Sequence, residues 1–355
     1  MEFVRLGQSG LKISRVCLGT VNFGTAWGIG VDETAARRVI DAYIDAGHNV
    51  IDTANNYNEG QSEQIVGRAV RHSRESVVIA SKGFMPQGPG PNDGGSSRLH
   101  LTRALEASLR RLGTDYIDIY QCHNWDPDTP IDETMATLDD FVRSGKVRYI
   151  GCSNYTAAQI VEAQWAAARG HGTPFTCLQA QYSLLSRDIE AEIIPACARH
   201  GLGTIVYSPL AGGILADRYR RGAEPAPGTR LSRVMATGRP GAREWAHEQL
   251  SERNLGLAAE VGRVARELGT TPAAVALAWV RARPGVTSVI IGPRTVTQLR
   301  QNLAALELDL PAEITARLDE ISGPAPTPVT GKTACRWLRH PSRHTVGARP
   351  VPQPA

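Results

Sequence analysis

Eight times along the chain a short apolar run rich in Val and Ile is followed by a stretch with helical periodicity, and this alternation limits the fold more than any other feature. The runs read as strands at Val16–Gly19, Val50–Asp52, Val77–Ser81, Tyr116–Gln121, Val147–Gly151, Thr176–Gln179, Gly203–Tyr207 and Thr287–Ile291. Many are continuously apolar, as strands covered on both faces must be. Between them, Asp32–Asp45 carries Ala35, Val39, Ile40 and Tyr43 on one face, His100–Arg111 repeats Leu101, Leu105 and Leu109, and Ile131–Ser144 carries Leu138, Phe141 and Val142. Strand–helix units repeated in this way give a parallel sheet of the α/β class.

Eight such units in roughly 250–300 residues match a closed (β/α)8 TIM barrel in size. A doubly wound open sheet is the competitor, and it usually carries G-x-G-x-x-G after its first strand. No such sextet occurs. Ahead of the first barrel strand, Phe3–Leu6 and Leu11–Ser14 flank Gly7-Gln8-Ser9-Gly10. This predicts a β-hairpin that plugs the barrel floor. Two stretches break the alternation. Residues 208–249 read as a long Gly/Arg/Pro-containing loop, of a length expected of a lid or of disorder. Residues 323–355 hold seven of the 22 prolines and are expected to form a disordered tail beyond a barrel domain of 1–322.

The 355 residues are 42% hydrophobic and 21% charged, enough to bury a large core, which excludes a disordered chain. No apolar run reaches the ~18 residues of a membrane span, and the opening MEFVRLGQSG has neither the basic nor the apolar region of a signal peptide. The net charge of +4 is uneven. Lys332, Arg336, Arg339, Arg343 and Arg349 carry five positive charges in the tail, leaving the body at about −1, with no basic surplus for nucleic acid. None of the six cysteines forms a C-x-x-C pair or zinc spacing, so no metal site is expected. Free thiols and the missing leader predict a reducing, cytoplasmic setting. Only four of the 39 basic residues are lysine, a bias that hints at a GC-rich bacterial genome.

In a parallel barrel the chemistry gathers at the carboxyl ends of the strands. Asp52, Lys82 and His123 stand there as isolated ionisable residues after apolar runs, and Tyr57 lies in the loop after the second strand. A buried charge is costly unless paired, so Asp52 and Lys82 are expected to form an ion pair that Tyr57 approaches. A nearby cation stabilises phenolate, which predicts a lowered Tyr57 pKa and makes the phenol a candidate acid or base. His123 is placed to hold a substrate oxygen or relay a proton.

These residues resemble the aldo-keto reductase superfamily, in particular the branch with potassium-channel β-subunits and bacterial aldehyde and keto-sugar reductases. The motifs are Ile51-Asp52-Thr53-Ala54-x-x-Tyr57, Lys82, His123, Lys146-Val147-Arg148-Tyr149-Ile150-Gly151-x-Ser153-Asn154, and Tyr207-Ser208-Pro209-Leu210 followed by Gly212-Gly213. The resemblance covers residues 1 to 322. It implies Tyr57 as acid/base, Lys82 and Asp52 as the pair that tunes it, and His123 as the group that orients a carbonyl. Asn58 replaces the glycine often found after the tyrosine, and asparagine tolerates positive φ well enough to preserve the turn. Asn124-Trp125 replaces the arginine often found after the histidine.

The resemblance also implies a nicotinamide cofactor held without a Rossmann fold. Ser153, Asn154 and Gln179 supply the donors and acceptors that a carboxamide needs, and Tyr207 a platform for its ring. Ser208-Pro209-Leu210, with Gly212 and Gly213, presents backbone N–H groups to phosphates. Gly292, Arg294, Thr295, Gln298 and Asn302 match the family's adenosine-phosphate motif. They open a helix, with Arg294 suited to a 2′-phosphate, hence NADPH. Phe23, Trp27, Phe84 and Trp125, with part of 208–249, are expected to wall the pocket of a small carbonyl substrate. The expected function is reduction of an aldehyde or ketone, by a protein that can be oligomeric. Reduction of a nucleotide-linked keto sugar and a cofactor-sensing regulatory subunit are the alternatives.

Overall fold

The computed structural model describes residues 2–323. Strands β1 (Phe3–Arg5) and β2 (Lys12–Ser14) pair antiparallel. Eight parallel strands follow: β3 (Val16–Gly19), β4 (Val50–Asp52), β5 (Val78–Gly83), β6 (Ile117–Cys122), β7 (Val147–Ser153), β8 (Cys177–Gln181), β9 (Gly203–Tyr207) and β10 (Val286–Ile291). Each bonds to the next and β10 closes on β3, so the barrel has no open edge. Between strands run α1 (Glu33–Asp45), α2 (Gln61–Val70), α3 (Arg98–Leu112), α4 (Ile131–Arg143), α5 (Ala157–Arg169) and α6 (Ile193–Arg199). The β9–β10 connection holds α7 (Arg230–Ala236), α8 (Ala242–Gln249), α9 (Glu252–Glu267) and α10 (Pro272–Ala282), and α11 (Val296–Ala305) and α12 (Ala312–Ser322) follow β10. The (β/α)8 barrel expected from the alternation is the observed fold.

Local chemistry sets the helix starts. The side chains of Asp32, Ser97, Thr156, Ser251, Thr271 and Thr295 each accept a first-turn N–H, a bond that otherwise goes unmade at a helix N-terminus. Gly113 ends α3 in the left-handed conformation.

The parity of each strand divides the core in two. Val16, Leu18, Ile51, Ile79, Tyr120, Ile150, Leu178, Val206 and Val289 face the helices. Their neighbours Cys17, Val50, Val78, Ala80, Ile119, Cys177, Ile205 and Ile290 fill the barrel interior. Leu6, just after β1, and Ile13, in β2, belong to this interior cluster and are fully buried, so the hairpin closes the floor as expected. It docks tightly: Gln8 N–H donates to Gly201 O, and a Cβ on Gly7 (φ +58°) would lie 2.2 Å from that oxygen.

The expectation of one long loop at 208–249 is corrected. The segment carries α7 and α8, and Ile214, Tyr219, Leu231 and Ala246 form a small apolar cluster with Ala258 of α9. Both helices are only two turns long and are separated by Gly and Pro, so no window of the sequence shows sustained periodicity. The expectations for 323–355, Cys335 included, fall outside the described residues apart from Gly323. Among the described residues, no helix is long and apolar enough to cross a membrane, and no cluster of His, Cys, Asp and Glu is placed to hold a metal ion.

Candidate active site

Strand alternation turns Asp52, Lys82, Gln121, Ser153, Gln179 and Tyr207 inward, above the apolar layers. Lys82 is fully buried. Its Nζ donates to Asp52 Oδ1 at 2.7 Å and Oδ2 at 2.8 Å, and to Thr53 O at 2.8 Å. Tyr57 Oη lies 3.3 Å from the same ammonium. The His123 ring stands edge-on to the Tyr57 ring, with centroids 5.9 Å apart. The four residues singled out at separate strand ends and loops thus come together.

Tyr57 is held by a short 3-10 turn, Tyr57–Gly60, in which Asn58 adopts φ 47°. The substitution of Asn for Gly therefore keeps the left-handed turn. Asn58 also adds contacts that glycine cannot make. Its Oδ1 accepts from Trp27 N, and its Nδ2 donates to Val21 O and Phe23 O, pinning the β3–α1 loop to the tyrosine.

Burial pushes the Tyr57 phenol up, the Lys82 ammonium pulls it down, and Asp52 pushes it up again, so the net direction is upward. The lowering expected from Lys82 alone is corrected: desolvation, with Asp52, outweighs the Lys82 ammonium and the weaker pull of Arg230. For Lys82, burial works against the ammonium, but the Asp52 carboxylate, Tyr57 and the hydrogen bonds to both more than offset it, and its pKa is raised. Burial, and then the Lys82 charge, bring His123 down to about 3, so its imidazole is neutral at physiological pH.

The expected cofactor residues are tied into this network. Gln179 Nε2 donates to Asp52 Oδ2 at 2.7 Å, so half of its amide is already engaged. Asn154 (φ 61°) donates from Nδ2 to His123 O and accepts at Oδ1 from Tyr207 Oη. Ser153 is buried beside them. In the loop after β9, Ser208, Ala211, Gly212 and Gly213 all have positive φ, while Pro209 is buried and Leu210 half-buried. After β10, Gln298 Oε1 accepts from Arg294 N and Thr295 Oγ1 from Gln298 N, and Gly292 O accepts from Asn22 Nδ2. Asn302 lies two turns into α11, half-buried.

Residues not foreseen complete the rim. Arg218, Arg230 and Arg233 from the 208–249 segment lie close enough to Arg294 to depress its pKa, after the larger effect of burial. None of the four has an ion-pair partner among the described residues. Arg230 bonds Asn22 Oδ1, Arg233 bonds Ile29 O and Gly30 O, and Arg294 bonds Gly228 O. The segment's Arg content was visible in the sequence, but an arginine-bearing loop reads equally as a solvated surface.

Of the expected pocket wall, Trp27 stands 6.3 Å from Tyr57, with the Arg239 guanidinium 5.4 Å from its own ring. Phe84 is half-buried just beyond β5, and Trp125 packs edge-on against Tyr155. Phe23 is corrected. It is fully buried in the core between barrel and helices, because its backbone bridges to Val31 and turns the ring inward.

A family model described as the Aldo/keto reductase family matches residues 15–323. The chain belongs to the aldo/keto reductase family. The matched region of this aldo/keto reductase spans all eight barrel strands and every helix among the described residues, and the floor hairpin lies ahead of it. Its relatives include an uncharacterized oxidoreductase, YrpG, of Bacillus subtilis (strain 168), 40% identical over 90% of this chain and 96% of the relative. A probable voltage-gated potassium channel subunit beta of Arabidopsis thaliana is 36% identical over 87% and 92%. Versiconal hemiacetal acetate reductase of Aspergillus parasiticus is 34% identical over 90% and 96%. The relatives named as an oxidoreductase and a reductase make the chain an oxidoreductase by kinship.

Proposed function

We propose that this oxidoreductase reduces an aldehyde or ketone to the alcohol with NADPH, and that Tyr57 is the general acid. The observation that carries the reading is the buried ammonium of Lys82, held by Asp52 and in contact with the Tyr57 hydroxyl at the mouth of the barrel. Tyr57 gives its proton to the carbonyl oxygen as negative charge develops there. Lys82 stabilises the phenolate left behind, and Asp52 keeps the ammonium charged and in place. The neutral imidazole of His123 hydrogen-bonds the same oxygen and so orients the carbonyl.

The residues present fit a nicotinamide dinucleotide phosphate. Ser153, Asn154 and the free end of Gln179 can meet the carboxamide, and Tyr207, fixed through Asn154, can back the ring. Four arginines without carboxylate partners on one rim call for an anion of high charge, as the phosphates provide. The cofactor, when bound, supplies the hydride that goes to the carbonyl carbon. Trp27, Phe84 and Trp125 shape a pocket for an apolar or aromatic carbonyl compound. Five buried free thiols support a reducing, cytoplasmic setting. The kinship with potassium-channel β-subunits supports a regulatory reading as well, but the assembled tetrad favours turnover.

The test is an NADPH-oxidation screen over aldehydes, ketones and nucleotide-linked keto sugars. Turnover with at least one class is expected, and the class that turns over separates a general reductase from a sugar ketoreductase. Tight NADPH binding with no oxidation across all three would overturn the reading.

A further inference from the structure

Outside the barrel mouth, α5 and α6 leave an apolar groove of about 600 Å3 on the flank of the helix layer. Val161 and Trp165, one turn apart on α5, are 44% and 63% exposed, and Pro195 and Ala196 of α6 form the opposite wall. An exposed tryptophan beside an apolar groove is the composition of an interface centre rather than of a solvated helix face. Three charged residues of both signs also line the groove: Glu162, Glu192 and Arg199. All three are exposed, and none has an ion-pair partner among the described residues, although Arg143, Arg169 and many other surface arginines are paired.

We infer that this flank binds a second copy of the same chain about a two-fold axis. The argument is charge complementarity. Glu192 and Arg199 stand at opposite ends of α6, about two turns apart. When α6 lies antiparallel to its copy across a two-fold axis, Glu192 of one chain meets Arg199 of the other, and the contact occurs twice. The α6 wall of the groove, with apolar residues between one unpaired charge of each sign, is complementary to itself. A basic partner would leave Arg199 unmatched, and an acidic one would leave both glutamates unmatched. The contact lies on the outer side of the helices, so both barrel mouths remain open in the dimer.

Sedimentation of the full chain tests this. The wild type is expected to be a dimer, and Trp165→Glu, at an exposed position where the fold tolerates charge, is expected to raise the dimer dissociation constant on the order of a hundredfold or more. Glu192→Arg and Arg199→Glu singly should each weaken the dimer by about tenfold or more. The chain carrying both reversals should regain it, because in a two-fold contact the swap restores both ion pairs. Thermal melting checks that each variant is folded. A monomeric wild type, a Trp165→Glu dimer as tight as the wild type, or a double reversal no tighter than the singles overturns the proposal. The first of these results would leave the groove to a different partner.

Discussion

The Tyr57 phenol holds its proton more firmly than a phenol in water, because burial outweighs the pull of Lys82. That direction suits an acid. Reduction needs the protonated phenol, so kcat for reduction should stay level as pH rises through neutrality and fall only above the ordinary phenol value of about 10. His123, at about 3, is already neutral throughout, so no inflection is expected near the ordinary histidine value of 6.5. A pH profile with a step near 6.5 that vanishes in His123→Gln would contradict this. Tyr57→Phe should cut kcat by roughly 10²–10⁴-fold while leaving NADPH affinity nearly unchanged, since the hydroxyl acts on the substrate oxygen. Turnover assays paired with cofactor titration separate the two effects. Lys82→Met leaves the Asp52 carboxylate, 2% exposed, without its cation, at a cost of roughly 3–5 kcal/mol. The double variant Asp52→Asn, Lys82→Met should recover part of that stability in urea unfolding and none of the turnover. A double variant as active as the wild type would contradict the tuning role. The tetrad was legible because each member interrupts or follows an apolar strand. The sign of the Tyr57 shift was not, because a pairwise charge argument omits the cost of burial.

At the scale of elements, the β10–α11 turn and the 208–249 segment divide the rim's positive charge between them. Arg294→Ala should weaken NADPH roughly tenfold to a hundredfold, the size of a lost hydrogen bond to a charged group, and should barely affect NADH, which lacks the 2′-phosphate. Fluorescence titration with both cofactors measures it. Equal losses would instead assign Arg294 to a phosphate common to both. At the other end of the barrel, the floor hairpin bears on stability. Leu6 and Ile13 are fully buried in the interior cluster, so Leu6→Ala should cost about 2–5 kcal/mol in urea unfolding. A loss of less than about 1 kcal/mol would mean that the barrel interior does not depend on its plug. The hairpin was readable from its Gly-x-x-Gly turn between two apolar runs. Helices α7 and α8 were not, because their apolar residues find their partners in a small cluster assembled from the segment itself, α9 and the distant Leu185.

For the molecule as a whole, three histidines whose pKa is lowered by burial, His48, His100 and His123, link stability to pH. Below about 6.5 the unfolded chain takes up protons on these residues more readily than the folded one, so the stability they contribute is full above 6.5 and is lost as pH falls, for His123 down to about 3. The melting temperature should therefore drop between pH 7 and pH 5, before the carboxylates titrate. A melting temperature unchanged over that interval would show that the three sites open to water in the folded protein. Closure of β10 on β3 couples these distant sites, because no strand of the barrel can separate without breaking two ladders.

The sequence by itself determined the barrel, because strand parity and helical periodicity are local and each of the eight units repeats them. It also determined which side chains reach the strand ends, since an inward residue is followed two positions later by another. Only the tertiary structure decided how those ends combine. Gln179 turns its amide to Asp52, 127 residues away, and Arg230 reaches Asn22 across 208. Phe23 goes to the core, although its position in a loop after the first strand suited it equally to the pocket wall. Spacing carries information within an element. Contacts between sequence-distant loops at the barrel mouth form only once the strands between them have assembled, and that geometry has no signature in neighbouring residues.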